Sequence, residues 1–237
     1  MESTFTFPTT EAACEAAARF VVEQAQRAVQ QRGRFVISLS GGTSPRRLYE
    51  YLAQVPYRDQ VPWPQVVVFW GDERCVPAQD ERNNARMARE ALLEQVPVPS
   101  SQVFQVPTEL APGQAAQTYE QTLRDFWQGT SPRFDLVLLG LGEDAHTASL
   151  FPGTEVLAET ERWVREVPKE GEYRITLTPP LLNEARNVLF LVTGSAKAEV
   201  LRTLPMAPYQ PDTYPVQLIR PTDGNTYWYL DEAAAGG

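Results

Sequence analysis

The only histidine of the 237-residue chain, His146, sits in a glycine-bracketed run over 140–153, Gly-Leu-Gly-Glu-Asp-Ala-His-Thr-Ala-Ser-Leu-Phe-Pro-Gly. Histidine changes charge more readily near neutral pH than other side chains, so it suits proton transfer. Asp144, two residues upstream, can orient the imidazole or handle a proton itself. Three other stretches gather polar groups in the same way. Ser40-Gly41-Gly42-Thr43-Ser44 opens a helix; its glycines let backbone approach a ligand, and the unpaired N–H groups of a helix N-terminus suit an anion. Asp72-Glu73-Arg74 follows an apolar run; an arginine there can grip a phosphate through two parallel hydrogen bonds while neighbouring acids orient sugar hydroxyls. The last brackets the fourth apolar run, with Arg174 in Arg-Ile-Thr before it and Lys197 in Gly-Ser-Ala-Lys after it, where a lysine near a helix start opposes the dipole unless an anion is bound. Taken singly, each stretch also reads as an ordinary turn, cap or solvated charge. None matches the Walker or dinucleotide-binding fingerprint.

The elements that must position these groups alternate along the chain. Helical patterns cover 9–31, 44–55, 83–95, 114–127 and 195–204. Apolar runs at Phe35–Leu39, Val66–Trp70, 134–139 and Asn187–Val192 read as buried strands, with a short strand near 103–106 and a last one at 226–230. This alternation predicts an α/β fold: a doubly wound, mostly parallel, Rossmann-like sheet with helices on both faces. Residues 1–237 read as a single domain without internal repeat or linker. In such a sheet the four polar stretches emerge at one edge, where ligands bind. Together they predict a cleft for a small phosphorylated, polyhydroxylated substrate with acid–base chemistry at His146.

Composition narrows the class. At 43% apolar and 22% charged the chain is ordinary for a globular protein, and its net charge of −9 opposes binding to nucleic acid or anionic membrane. Cys14 and Cys75 lie too far apart for a metal or redox motif, and a reducing cytoplasm is the expected setting. The N-terminus has neither a basic segment nor an apolar core of the signal-peptide kind, and no run suits a membrane span. Oligomeric state is not legible.

Taken in order, Ser40-Gly-Gly-Thr-Ser-Pro45, Trp70-Gly-Asp-Glu-Arg74, the 140–152 run, Arg174-Ile-Thr and Gly194-Ser-Ala-Lys197 resemble the 6-phosphogluconolactonase family, which shares its fold with glucosamine-6-phosphate deaminase. The resemblance extends from the N-terminal helix to Trp228-Tyr-Leu-Asp231. It implies a glucosamine-6-phosphate deaminase-like fold, hydrolysis of 6-phospho-D-glucono-1,5-lactone to 6-phosphogluconate in the oxidative pentose phosphate pathway, and neither a metal nor an organic cofactor. His146, Asp144 and Asp72 are then the expected catalytic residues. Ser40, Gly41, Gly42, Thr43, Arg74, Arg174 and Lys197 are expected to bind phosphate and sugar. The chain departs from the family pattern at Ala145, where glycine is usual; if that position needs a positive φ, alanine strains the loop.

Two rival readings use the same residues. Deamination and isomerisation of an amino-sugar phosphate is disfavoured by the Thr147-Ala-Ser-Leu-Phe-Pro152 continuation, which resembles the lactonase side. A non-catalytic sugar-phosphate sensor would need an output element, and no basic helical pair flanks the domain. A covalent route is also disfavoured. Ser149 is not in a Gly-x-Ser-x-Gly elbow, and Cys75 has no second histidine to activate it. Water is the expected nucleophile.

Overall fold

Thr9 starts and Gly33 stops the longest helix, as their residue types dictate. The Thr9 hydroxyl accepts the Ala12 N–H, and Gly33 turns left-handed at φ 76° with its N–H on the Val29 carbonyl. The computed structural model describes residues 2–236. Its first half runs β1 (Glu2–Phe7), α1 (Thr10–Arg32), β2 (Phe35–Leu39), α2 (Thr43–Leu52), the one-turn α3 (Tyr57–Gln60), β3 (Val66–Trp70), β4 (Asp72–Arg74), α4 (Asn84–Ala88) and α5 (Pro112–Trp127). The second half runs β5 (Leu136–Leu139), β6 (Val164–Lys169), β7 (Glu172–Leu177), α6 (Pro179–Leu182), β8 (Asn187–Val192), α7 (Ala198–Thr203), β9 (Asn225–Asp231) and α8 (Glu232–Ala235).

Six strands form a wholly parallel sheet in the order β1-β9-β8-β5-β2-β3. Every residue of β2, β3 and β5 is buried, because helices cover both faces. The register places Tyr227 and Phe69 on opposite faces of the sheet. Phe20 of α1 packs on Tyr227, and Trp127 of α5 stacks on Phe69 at 5.8 Å. The doubly wound architecture is therefore present.

Several local expectations need correction. No strand forms over 103–106: Val103 makes one bridge to Val68, and Phe104 turns to stack on Phe69 at 4.9 Å. The helix expected over 83–95 is α4 continued by a π-helical turn, Arg89–Leu93. A second sheet, antiparallel and in the order β4-β7-β6, was not anticipated at all. Asp72, Arg74 and Arg174 lie within its strands instead of in loops at the parallel sheet's edge. The cleft thus lies between two sheets.

Glu73 fixes this second sheet to the first turn of α4. Fully buried, it accepts the N–H groups of Arg74 and Asn84 on Oε1 at 2.8 and 2.7 Å, and that of Ala85 on Oε2 at 2.8 Å. Burial pushes its carboxyl up to about 7, against the opposing pull of those three donors. Beyond β5, Ala145 takes a φ of 61°, so the position where the family resemblance led glycine to be expected does adopt the left-handed conformation.

Two measurements check these points. Glu73→Gln turns an amide N–H toward a backbone N–H, and should cost roughly 1–3 kcal/mol at pH 4.5. Because the folded carboxyl titrates above its ordinary 4.5, Glu73's contribution is full below that pH and fades as pH rises through about 7. The gap between the two proteins in denaturant titrations should narrow across that window; a constant gap would contradict it. Ala145→Gly relieves a left-handed alanine costing about 1–2 kcal/mol but adds roughly 0.5–1 kcal/mol of glycine entropy. A net gain of about 0.5–1 kcal/mol is expected, and a clear loss of stability would show the loop to be unstrained.

Candidate active site

A tight turn after β5 places His146 at one end of the cleft. The Gly142 N–H bonds the His146 carbonyl at 2.8 Å, and the Ala145 N–H bonds the Gly142 carbonyl at 3.1 Å. Asp144 Oδ1 then accepts the imidazole Nδ1–H at 2.5 Å and the His146 backbone N–H at 3.2 Å. With Nδ1 committed as a donor, the Nε2 lone pair is the one left for chemistry. A Cβ on Gly142 would stand 2.0 Å from His146 Nδ1 and 2.6 Å from Asp144 Oδ1, so only glycine fits beneath the pair. Burial opposes ionisation of Asp144, but the His146 hydrogen bond and charge outweigh it and hold the carboxyl below its ordinary 3.8. The Phe151 ring packs against the imidazole at 4.7 Å.

The antiparallel sheet supplies the facing wall. Residues opposite one another in such a ladder point to the same side. The pairs Asp72–Thr176 and Arg74–Arg174 therefore share one face, and Lys169, two residues from Arg174's partner Val167, shares it too. The walls are tied together where the Ser149 hydroxyl donates to Asp72 Oδ2 at 2.7 Å and the Ser149 N–H to the Thr176 hydroxyl at 3.3 Å. Arg74 Nη1 donates to the Arg82 carbonyl at 2.6 Å, while Arg174 has only a 3.5 Å contact with Glu172.

The third side is the start of α2. Tyr49 Oη donates to the Ser40 carbonyl at 2.7 Å and accepts the Ser40 N–H at 2.9 Å, locking the turn. Gly42 precedes the helix at φ 108° with no side chain capping the first turn, which leaves helix N–H groups for an anion. Asn84 lies so close that a Cβ on Gly41 would meet its Oδ1 at 2.0 Å. Lys197 approaches from the end of β8, 3.8 Å from the exposed Glu143.

These walls enclose about 370 Å³, a volume suited to a small polar metabolite. Ser40, Gly41, Gly42, Asp72, Arg74, His146, Arg174 and Lys197 all line the cleft as expected from sequence. Two expected residues do not. Thr43 is exposed at the first helical position, and Asp144 stands behind His146, reaching the cleft only through the imidazole. Asn84, Phe151 and Lys169 line it unexpectedly. The Asn83-Asn84 pair did carry a signal: Asn83 caps α4 by accepting the Arg86 N–H, which frees Asn84 to face the cleft. A larger groove of about 1220 Å³ lies against β1 and β9, but it lacks a histidine and shares no lining residue with the cleft.

The hydroxyl of Ser149 is spent on Asp72 and makes no bond to His146. Burial pushes the Cys75 thiol up to about 11, the wrong direction for a nucleophile. Among the described residues, no group of three or more His, Cys, Asp and Glu side chains is placed to hold a metal ion.

Residues 8–228 match the family model for glucosamine-6-phosphate isomerases/6-phosphogluconolactonase. The chain is 44% identical to a 6-phosphogluconolactonase of Synechocystis over 90% of its own length and 89% of that protein's. It is 42% identical to one of Nostoc, with the same shares covered. The solved 6-phosphogluconolactonase of Trypanosoma brucei superposes with a TM-score of 0.85 at 29% identity, covering 100% of this chain and 98% of that one. No helix among the described residues is long and apolar enough to cross a membrane. By the extent of these matches, the chain belongs to the glucosamine-6-phosphate isomerase/6-phosphogluconolactonase family.

Proposed function

We propose that His146 acts first as general base and then as general acid in this chain's reaction. The chain is a hydrolase that opens 6-phospho-D-glucono-1,5-lactone to 6-phosphogluconate, the second step of the oxidative pentose phosphate pathway. One observation supports the role of His146: Asp144 accepts a hydrogen bond from Nδ1–H, so the neutral imidazole keeps its Nε2 lone pair beside a cleft rich in cations.

Nε2 takes a proton from water as the water oxygen attacks C1 of the lactone. The resulting tetrahedral oxyanion collapses, the C1–ring-oxygen bond breaks, and the same nitrogen returns its proton to the leaving oxygen. The ionised Asp144 stabilises the intervening imidazolium. Asp72, held by Ser149 through Oδ2, has Oδ1 left to orient water or a sugar hydroxyl. Ser40, Gly41, Gly42 and Thr43 at the start of α2, with Arg74, Arg174 and Lys197, hold phosphate and sugar. Thr43, exposed and not itself lining the cleft, contributes its first-turn N–H. The free thiols of Cys14 and Cys75 fit a cytoplasmic setting.

A coupled assay that generates the lactone and follows acid release above the spontaneous rate tests the reading. His146→Ala should lower turnover by about 10²–10⁴-fold without unfolding the protein. Turnover near that of the parent would remove His146 from the mechanism. Losing a charge-assisted phosphate contact in Arg74→Ala should raise KM roughly 10- to 100-fold. If the parent hydrolyses unphosphorylated gluconolactone equally well, the phosphate site is misassigned.

A further inference from the structure

Of the 21 basic side chains, 19 are arginine and two are lysine, Lys169 and Lys197, and both lysines line the cleft. On helix surfaces, in ion pairs and at strand ends, arginine serves at every other basic position. Arginine offers a planar fork, whereas lysine offers a compact ammonium with three rotatable donors. Both compact ammonium groups of the chain thus stand at the cleft, beside the guanidinium groups of Arg74 and Arg174. Lys197 is accounted for by the phosphate group of residues above. Lys169 has no role in that scheme.

Lys169 closes β6 just before the Glu170-Gly171 turn, where both residues have positive φ. Its Nζ stands 4.7 Å from the centroid of the Phe151 ring, the same ring that packs 4.7 Å from the His146 imidazole. Its one ion pair, 3.1 Å to Glu170, is with a side chain 81% exposed, so water screens it. A cation held on a ring and weakly paired remains available to an anion.

The reaction presents two anionic centres. One is the phosphate, already met by guanidinium groups and the start of α2. The other is the C1 oxygen, which gains charge in the tetrahedral intermediate and ends as the product carboxylate. Lys169 shares its aromatic platform with the imidazole that delivers water to C1. We propose that Lys169 is a further substrate-contacting residue, whose ammonium stabilises negative charge at C1 and holds the product carboxylate. The assignment rests on the lactone-hydrolysis reading above.

Two inhibitors separate the ends of the substrate: 6-phosphogluconate has a phosphate and a carboxylate, and sorbitol 6-phosphate has the phosphate alone. Lys169→Met keeps the stem on Phe151 and removes the charge. It should weaken inhibition by 6-phosphogluconate roughly 10- to 100-fold, as expected for a lost charged hydrogen bond, leave sorbitol 6-phosphate unchanged, and lower kcat more than it raises KM. Lys197→Met should weaken both inhibitors in parallel. Parallel weakening in Lys169→Met would place Lys169 in the phosphate grip and overturn the proposal. Unchanged inhibition and turnover would overturn it as well, leaving a solvent lysine. Absence of lactone hydrolysis by the parent protein would instead overturn the underlying reading, independently of Lys169.

Discussion

One carboxylate oxygen organises the histidine end of the cleft. Asp144 Oδ1 accepts two N–H groups of the same residue, the ring and the backbone of His146, which fixes the imidazole's position, rotation and tautomer together. Hydrogen bonds to an ionised group are worth about 1.5–3 kcal/mol each, enough to hold a half-exposed side chain still. Everything nearby serves that contact. Gly142 leaves the space it occupies, Phe151 backs the ring, and the fully buried β5 anchors the turn between β2 and β8.

The two sheets divide the remaining work. The parallel sheet supplies what strand carboxyl ends provide: a helix N-terminus after β2 and the histidine turn after β5. The antiparallel sheet supplies side-chain charge, placing Asp72, Arg74, Arg174 and Lys169 on one face. A chain with a net charge of −9 would repel an anionic substrate if its cations were spread evenly. Gathering Arg74, Arg174, Lys169 and Lys197 in one cleft concentrates positive charge locally, as focusing of an anion requires. Buried Glu73 makes the gathering rigid, because it ties β4, and therefore Arg74, to the start of α4.

The core strands were legible because burial on both faces forces continuous apolar runs; Phe35–Leu39, Val66–Trp70 and Asn187–Val192 have the bounds expected of them. Strand β1 was not, since Glu-Ser-Thr-Phe-Thr-Phe sits at the sheet edge, mostly exposed, and carries no such pattern. The β6–β7 hairpin is short, half-exposed and rich in charge, so its sequence resembles a loop. That blind spot explains the residues missed in the cleft. Lys169 and Asn84 reach it only through pairings and packing of the second sheet, contacts far apart in sequence. Residue type was equally silent about Glu73: a carboxylate in an Asp-Glu-Arg triplet is usually solvated, and only the fold aims the Asn84 and Ala85 N–H groups at it.

Strain in the histidine turn follows from the same geometry. Residues two apart on extended chain lie about 6.6 Å from each other, too far for their short side chains to bond closely. The left-handed Ala145 folds the chain between Asp144 and His146 and brings Oδ1 to 2.5 Å from Nδ1. Ala148, at φ 48°, repeats the conformation on the other side of the histidine. Such residues persist only where their surroundings over-determine them. Here the Val216 N–H grips the Ala145 carbonyl at 3.0 Å, and the Thr147 hydroxyl grips the Gly140 carbonyl at 2.8 Å. The segment around Val216, a 3-10 turn over Pro215–Leu218 that is hard to read from sequence, thus acts as the brace behind the turn. A loop free to relax toward extended backbone would part the aspartate from the imidazole, and with it lose the tautomer that leaves Nε2 ready to accept a proton.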